Sequence, residues 1–249
     1  LRLHVIALTR NARAVCMAGP DVDQKVPRSR MPIFDQSDRQ LLDDVTYDGL
    51  KNEISDWLQM EYADRFRDLD AQPAADHIVD TGRRLGLTLK EEFAFLGQMM
   101  ATSGAWFVDA QYPAPLCTLL QSDPATRLQD LVDHYATEQA KTPQAQIMEQ
   151  WDAVQLHLAE IPTDDCVTPQ QFQTFCKRFL KRTATDVALA ISETRKRLGA
   201  LHVSNQRTEG QAMILTLIYG PRFFEDPLHP WGQLQVEAAI DAAWTMIVG

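Results

Sequence analysis

The sequence predicts an all-α protein, a helical bundle built from two tandem, sequence-related modules. Three observations predict it. Apolar residues recur at helical spacing almost throughout, residues that start and stop helices punctuate the chain, and the chain resembles itself when Arg65 is laid on Arg178. No alternating run of Val, Ile or Thr is bounded by hairpin turns, so strands are not expected.

The elements are expected near 36–44, 47–67, 74–85, 89–103, 124–138, 143–159, 169–182, 185–198, 205–219 and 232–247. Leu50, Ile54, Trp57, Leu58 and Phe66 form one apolar face of the second. Thr88-x-x-Glu91 before Phe93 has the capping-box form, in which the hydroxyl takes the third amide and the carboxylate reaches back to the first. Thr168-Pro169-Gln170-Gln171 repeats the form, and Thr142-Pro143 opens another helix with Pro where its missing donor costs nothing. Gly86, Gly104, Gly199 and Gly220 stand at expected helix stops. Ala212 to Tyr219 is too apolar for a surface helix and too short to span a membrane, so neighbours must cover it.

Self-comparison divides the chain. From Arg65 to Gly86, nine of twenty-two positions match Arg178 to Gly199, among them Arg84-Leu85-Gly86 on Arg197-Leu198-Gly199. After three extra residues in the later copy, Gly104-Ala-Trp-Phe107-Val-Asp109 meets Gly220-Pro-Arg-Phe223-Phe-Glu225. The expected organisation is a leader or disordered extension over 1–30 ahead of Met31, a first module over 31–142, a linking helix and loop over 143–162, and a second module over 163–249. Each apolar central helix should be wrapped by its own module.

Charge is segregated along the chain. The net charge is −10, but residues 1–30 carry +4, residues 31–160 carry −14 and residues 161–249 are neutral. An acidic balance argues against a protein that grips nucleic acid or an anionic membrane, since phosphate neutralisation needs clustered Lys and Arg. A protein partner with a basic surface suits it, with Glu53, Asp56, Asp64 and Asp68 as the candidate contact face. The same acids would also serve solubility alone. The basic run Lys177, Arg178, Lys181, Arg182, Arg195, Lys196 and Arg197 reads as a solvated face or as a dock for the acidic module.

Chemistry-bearing motifs are few. Cys16, Cys117, Cys166 and Cys176 are scattered as reduced thiols of a cytoplasmic protein would be, and His4, His77, His134, His157, His202 and His229 lack metal-ligand spacing, so neither a metal nor a cofactor is expected. No phosphate loop and no nucleophile elbow is present, and Ser103-Gly104 lacks the preceding strand an elbow needs. The most unusual stretch is Gly220-Pro-Arg222-Phe223-Phe-Glu225-Asp226-Pro-Leu-His229-Pro-Trp231. Arg222, Glu225, Asp226 and His229 could serve acid–base catalysis. Alternatively a helix stop, aromatics docked on a core and an Asp-Pro turn make the loop a brace. The duplication favours the brace, because the copies share only the aromatic pair Phe107 and Phe223 and the acidic pair Asp109 and Glu225.

With Arg197-Leu198-Gly199 and Leu215-x-Leu217-x-Tyr219-Gly220 ahead of it, the pattern Phe223-x-x-Asp226-Pro227-x-x-Pro230-Trp231 resembles small helical proteins of unassigned activity encoded in bacterial type VI secretion clusters, beside spike, PAAR-tip and effector genes. The match covers only part of the later module, from Arg197 to Trp231, and less of the earlier one, where Asp-Pro becomes Ala110-Gln111 and Pro-Trp becomes Pro113-Ala114. The resemblance implies an accessory role, as effector adaptor, chaperone or immunity protein, and brings no catalytic residues with it. The expectation is thus a non-enzymatic, cytoplasmic, protein-binding protein, with an enzyme built on Arg222 to His229 as the alternative.

Overall fold

The computed structural model describes residues 47–67, 69–138, 142–161, 167–180, 184–203 and 205–248. Among them there are twelve α-helices and no strand, so the chain is all-α. The helix expected near 36–44, Asp68, Lys181, Arg182, Cys16 and Cys166 lie outside the described residues.

Helices α1 (Tyr47–Glu61), α2 (Ala63–Phe66), α3 (Gln72–Arg84) and α4 (Lys90–Ser103) form the first half with α5 (Ala114–Leu120) and α6 (Pro124–Glu138). The helix expected over 47–67 is broken at Tyr62, whose backbone leaves the helical region. The sequence reading missed α5. It starts at a Pro-Ala-Pro segment that supplies no polar cap, Pro113 standing at the N-cap position in extended conformation. The stripe Leu50, Ile54, Trp57 and Leu58 is fully buried and packs with Ile78, Phe93 and Leu96 in a first core.

Helices α7 (Pro143–Glu149), α8 (Trp151–Ala159), α9 (Pro169–Phe179), α10 (Ala184–Ala200), α11 (Gln206–Tyr219) and α12 (Val236–Val248) form the second half. Gln150 breaks the expected linking helix into α7 and α8. Their Ile147, Val154 and Leu158 sit in a second core with Phe175, Phe179, Leu215, Leu217 and Trp244, so these helices belong to the second half. Helix α11 is buried from Gly210 to Tyr219, as its all-round apolarity requires. Ala190 and Leu228 reach from the second half into the first core.

Several helix ends follow the sequence and others are displaced from it. Thr168 and Gln171 make the reciprocal box, and Thr142 accepts the Ala145 amide. The box read at Thr88 and Glu91 is shifted by one residue. Leu89 is the N-cap, and it is the Glu92 carboxylate that accepts the Thr88 and Leu89 amides, at 2.8 and 3.0 Å. Gly199 is not a stop either: α10 runs through it to Ala200, and His202 takes the left-handed turn (φ 58°) that Gly86 takes (φ 71°) after α3. Helix α10 therefore runs past the stop that the sequence places at Gly199.

Among the described residues no helix is long and apolar enough to cross a membrane. Cys117 is buried and Cys176 half-buried, and burial pushes their thiols up to about 12 and about 11, which leaves little thiolate at neutral pH.

Candidate functional site

The two central helices end against one another. Gly104 closes α4 and Gly220 closes α11, each donating its amide to the carbonyl four residues earlier at 2.9 Å and each at positive φ, 89° and 96°. The two glycines touch. A Cβ on Gly104 would lie 2.7 Å from the Tyr219 carbonyl oxygen, and one on Gly220 would run into the Ser103 carbonyl and the Gly104 Cα. Only glycine permits both the φ and the approach.

The loops leaving these glycines carry the residues singled out in the sequence. Phe107, Phe223, Phe224 and Trp231 are buried in the cores, and the Trp231 indole donates to the Phe223 carbonyl at 3.0 Å. His229 stacks on Trp231 with centroids 4.7 Å apart and meets Tyr219 edge-on. Asp226 is wholly buried. Its Oδ2 accepts the Ala105 amide at 2.9 Å from the opposite half, and its Oδ1 accepts the Leu228 amide at 2.8 Å.

Outside this buried layer a chain of alternating charges crosses the junction. Arg84 pairs with Asp109 at 3.0 Å, Arg222 reaches Asp109 at 3.8 Å and Glu225 at 2.8 Å, and Glu225 receives Arg197 through three hydrogen bonds of 2.6 to 3.0 Å. Arg222 also lies over the Trp106 ring, 3.8 Å from its centroid, and Trp106 meets the His77 ring at 4.3 Å in a tilted contact, His77 itself bonding the Ala105 carbonyl.

Environment sets the ionisation of each group. Burial alone would raise the Glu225 carboxyl, but the guanidinium bonds of Arg197 and Arg222 outweigh it and hold the group below its ordinary value. Burial pushes Asp226 up to about 6 against the two backbone amides that favour its anion. Burial, with the positive charge of Arg65 nearby, drives His229 well below the usual imidazole value, and burial also lowers His77.

Structure thus brings Arg222, Glu225, Asp226 and His229 into one loop but gives each a protein partner or a buried seat. The aromatics are interior and the acids tie backbone or guanidinium groups, which is the arrangement expected of a brace. Of the four residues of the acidic face, Glu53 pairs with Lys90 at 3.1 Å, Asp56 is exposed on α1, Asp64 pairs with Arg67 just past the end of α2, and Asp68 lies outside the described residues. Of the basic run, Arg195 pairs with Glu209, Lys196 with Glu193 and Arg197 with Glu225, all in its own half, while Lys181 and Arg182 lie outside the described residues. Among the described residues no group of three His, Cys, Asp or Glu is placed to hold a metal ion.

Sequence reasoning missed a buried ion pair. Arg127 on α6 and Glu92 on α4 are almost wholly enclosed, 3.4 Å apart, and Arg127 also donates to the Gly86 and Ser122 carbonyls while Glu92 receives the Thr88 and Leu89 amides. Two loops, the one between α3 and α4 and the one between α5 and α6, are thereby tied at one point. The available signal was spacing: Arg127 stands one turn before the buried Leu131, and Glu92 one turn before the buried Leu96.

Compared with protein families, curated proteins and solved structures, the chain matches none.

Proposed function

We propose that this is a non-enzymatic, cytoplasmic accessory protein that binds another protein through its first half, as an adaptor, chaperone or immunity protein for a type VI secretion effector. The observation that carries the reading is how the first half spends its charges. Several of its cations are engaged within the protein: Arg127 is enclosed with Glu92, Arg65 donates to the Ala101 carbonyl, the exposed Arg83 lies over the Tyr47 ring, and Lys51 is shared by Asp76 and Asp80. Asp56 is exposed, and Asp64, Asp76 and Asp80, although paired with Arg67 or Lys51, keep much of their side chains open to water. A surface of this kind attracts a basic partner over a distance of about one Debye length, roughly 8 Å at physiological salt.

The partner fitting this surface is a secretion effector or spike-associated protein with a basic face, and neither nucleic acid nor an anionic membrane suits it. The resemblance of the Tyr219-to-Trp231 pattern to proteins of secretion clusters supports the choice of partner class. Against the alternative of an enzyme using Arg222 to His229 stands the engagement of Arg222, Glu225 and Asp226 by groups of the protein itself and the burial of His229 against Trp231.

The test is association with the purified product of the adjacent gene, measured against salt. Reversing Glu53, Asp56, Asp64 and Asp68 to Lys is expected to slow association about tenfold or more at low ionic strength, with little change in dissociation. An association rate indifferent to both the reversals and salt would remove the acidic face from the account.

A further inference from the structure

We propose that the two halves descend from one duplicated helical unit and that the contact of the 104–109 segment with the 220–225 segment is a pseudo-twofold interface, in which each half is the partner of the other. In an interface between two identical copies, a residue i that touches j implies that j of the first copy touches i of the second. The junction has this reciprocity between positions that the sequence self-comparison had already paired.

Gly104 meets its own counterpart, Gly220, and the glycines share cap bond and φ. Trp106 meets its counterpart, Arg222, face to face. Trp106 donates its indole N–H to the Glu225 carbonyl at 3.3 Å, and in the reciprocal direction Arg222 reaches Asp109, the counterpart of Glu225. Within each half the same ion pair recurs, Arg84 with Asp109 and Arg197 with Glu225. Thr81 and Thr194, and Phe107 and Phe223, are buried in parallel.

Departures from the symmetry are themselves paired. The buried bond from the Ala105 amide to Asp226 has for its reciprocal the pair Pro221 and Ala110, in which the donor and the acceptor are both absent. Loss of one partner alone would have left a buried polar group unsatisfied, at a cost of about 1–3 kcal/mol. Away from the junction the exposed Asp64 of the first half corresponds to the exposed Lys177 of the second, a reversal of charge at one outward position.

The test is exchange across the axis in the full chain. Trp106→Arg alone sets Arg against Arg, and Arg222→Trp alone sets Trp against Trp and leaves Asp109 with Arg84 only and Glu225 with Arg197 only; each is expected to lower the thermal midpoint by about 5 °C. The double exchange rebuilds the stack in mirror order and should return to within about 2 °C of the native chain. A second exchange, Asp109→Glu with Glu225→Asp, should show the same recovery over its single variants. If either single variant fails to fold, folding of the corresponding double variant is the expected result. Doubles that melt no higher than their worse single variants overturn the proposal, because the two sides of the junction are then not interchangeable.

Discussion

Gly220→Ala is expected to lower the thermal midpoint on the order of 10 °C, corresponding to a loss of about 3 kcal/mol or more. Two costs combine. The backbone at φ 96° and ψ 172° disfavours any side chain, and the new methyl would overlap the Ser103 carbonyl and the Gly104 Cα, which are main-chain atoms with no rotamer to escape into. Relief would require α4 and α11 to part, which opens both cores at once. Gly199→Ala is the matched control. Gly199 lies inside α10 with nothing near its Cβ direction, so the same substitution there should stabilise by roughly 0.5–1 kcal/mol. Differential scanning calorimetry of the two variants decides between them; equal and small shifts would mean the glycine contact is loose.

Removal of Arg127 is expected to cost about 3–5 kcal/mol, because it leaves the Glu92 carboxylate buried without a cation and the Gly86 and Ser122 carbonyls without donors. Arg127→Met preserves the volume of the stem and isolates this electrostatic loss. Arg127→Lys should recover only a part, since one ammonium cannot reach three acceptors that the planar guanidinium serves together. Removing both charges as Arg127→Met with Glu92→Met should cost less than the sum of the single variants in urea unfolding. Strict additivity would show that the two groups do not interact.

How far the sequence carried this fold follows from where its signals are local. The stripe from Leu50 to Leu58, the Thr142 and Thr168 caps and the stops at Gly104 and Gly220 each depend on neighbours within a few residues, and each was legible. The break at Gln150, the helix at Ala114–Leu120 and the displacement of a stop from Gly199 to His202 carry no strong local signal, since tertiary packing overrides weak propensity at such points. For the candidate site the residues were legible but their partners were not. Asp226 reads as a turn-former in Asp-Pro, and only the fold brings the Ala105 amide to it across 121 positions. Glu92 and Arg127 read as surface charges in two separate helices, and their enclosure is a property of the whole first core.

The loop from Gly220 to Trp231 is, on this account, a buried brace between two helical halves and not a site open to water. The ring of His229 reports on this most directly, through its chemical shift in an NMR titration of the native chain. A neutral, enclosed imidazole has a pKa depressed in the folded state, so its contribution to stability is present above the usual imidazole value and is lost as the pH falls through the folded one. The account predicts that the His229 ring stays neutral well below its ordinary pKa of about 6.5, with the stability of a His229→Phe variant falling less on acidification than that of the native chain. Titration of His229 at its ordinary value would place the ring in solvent, and with it the acids of the loop, in contradiction of the brace.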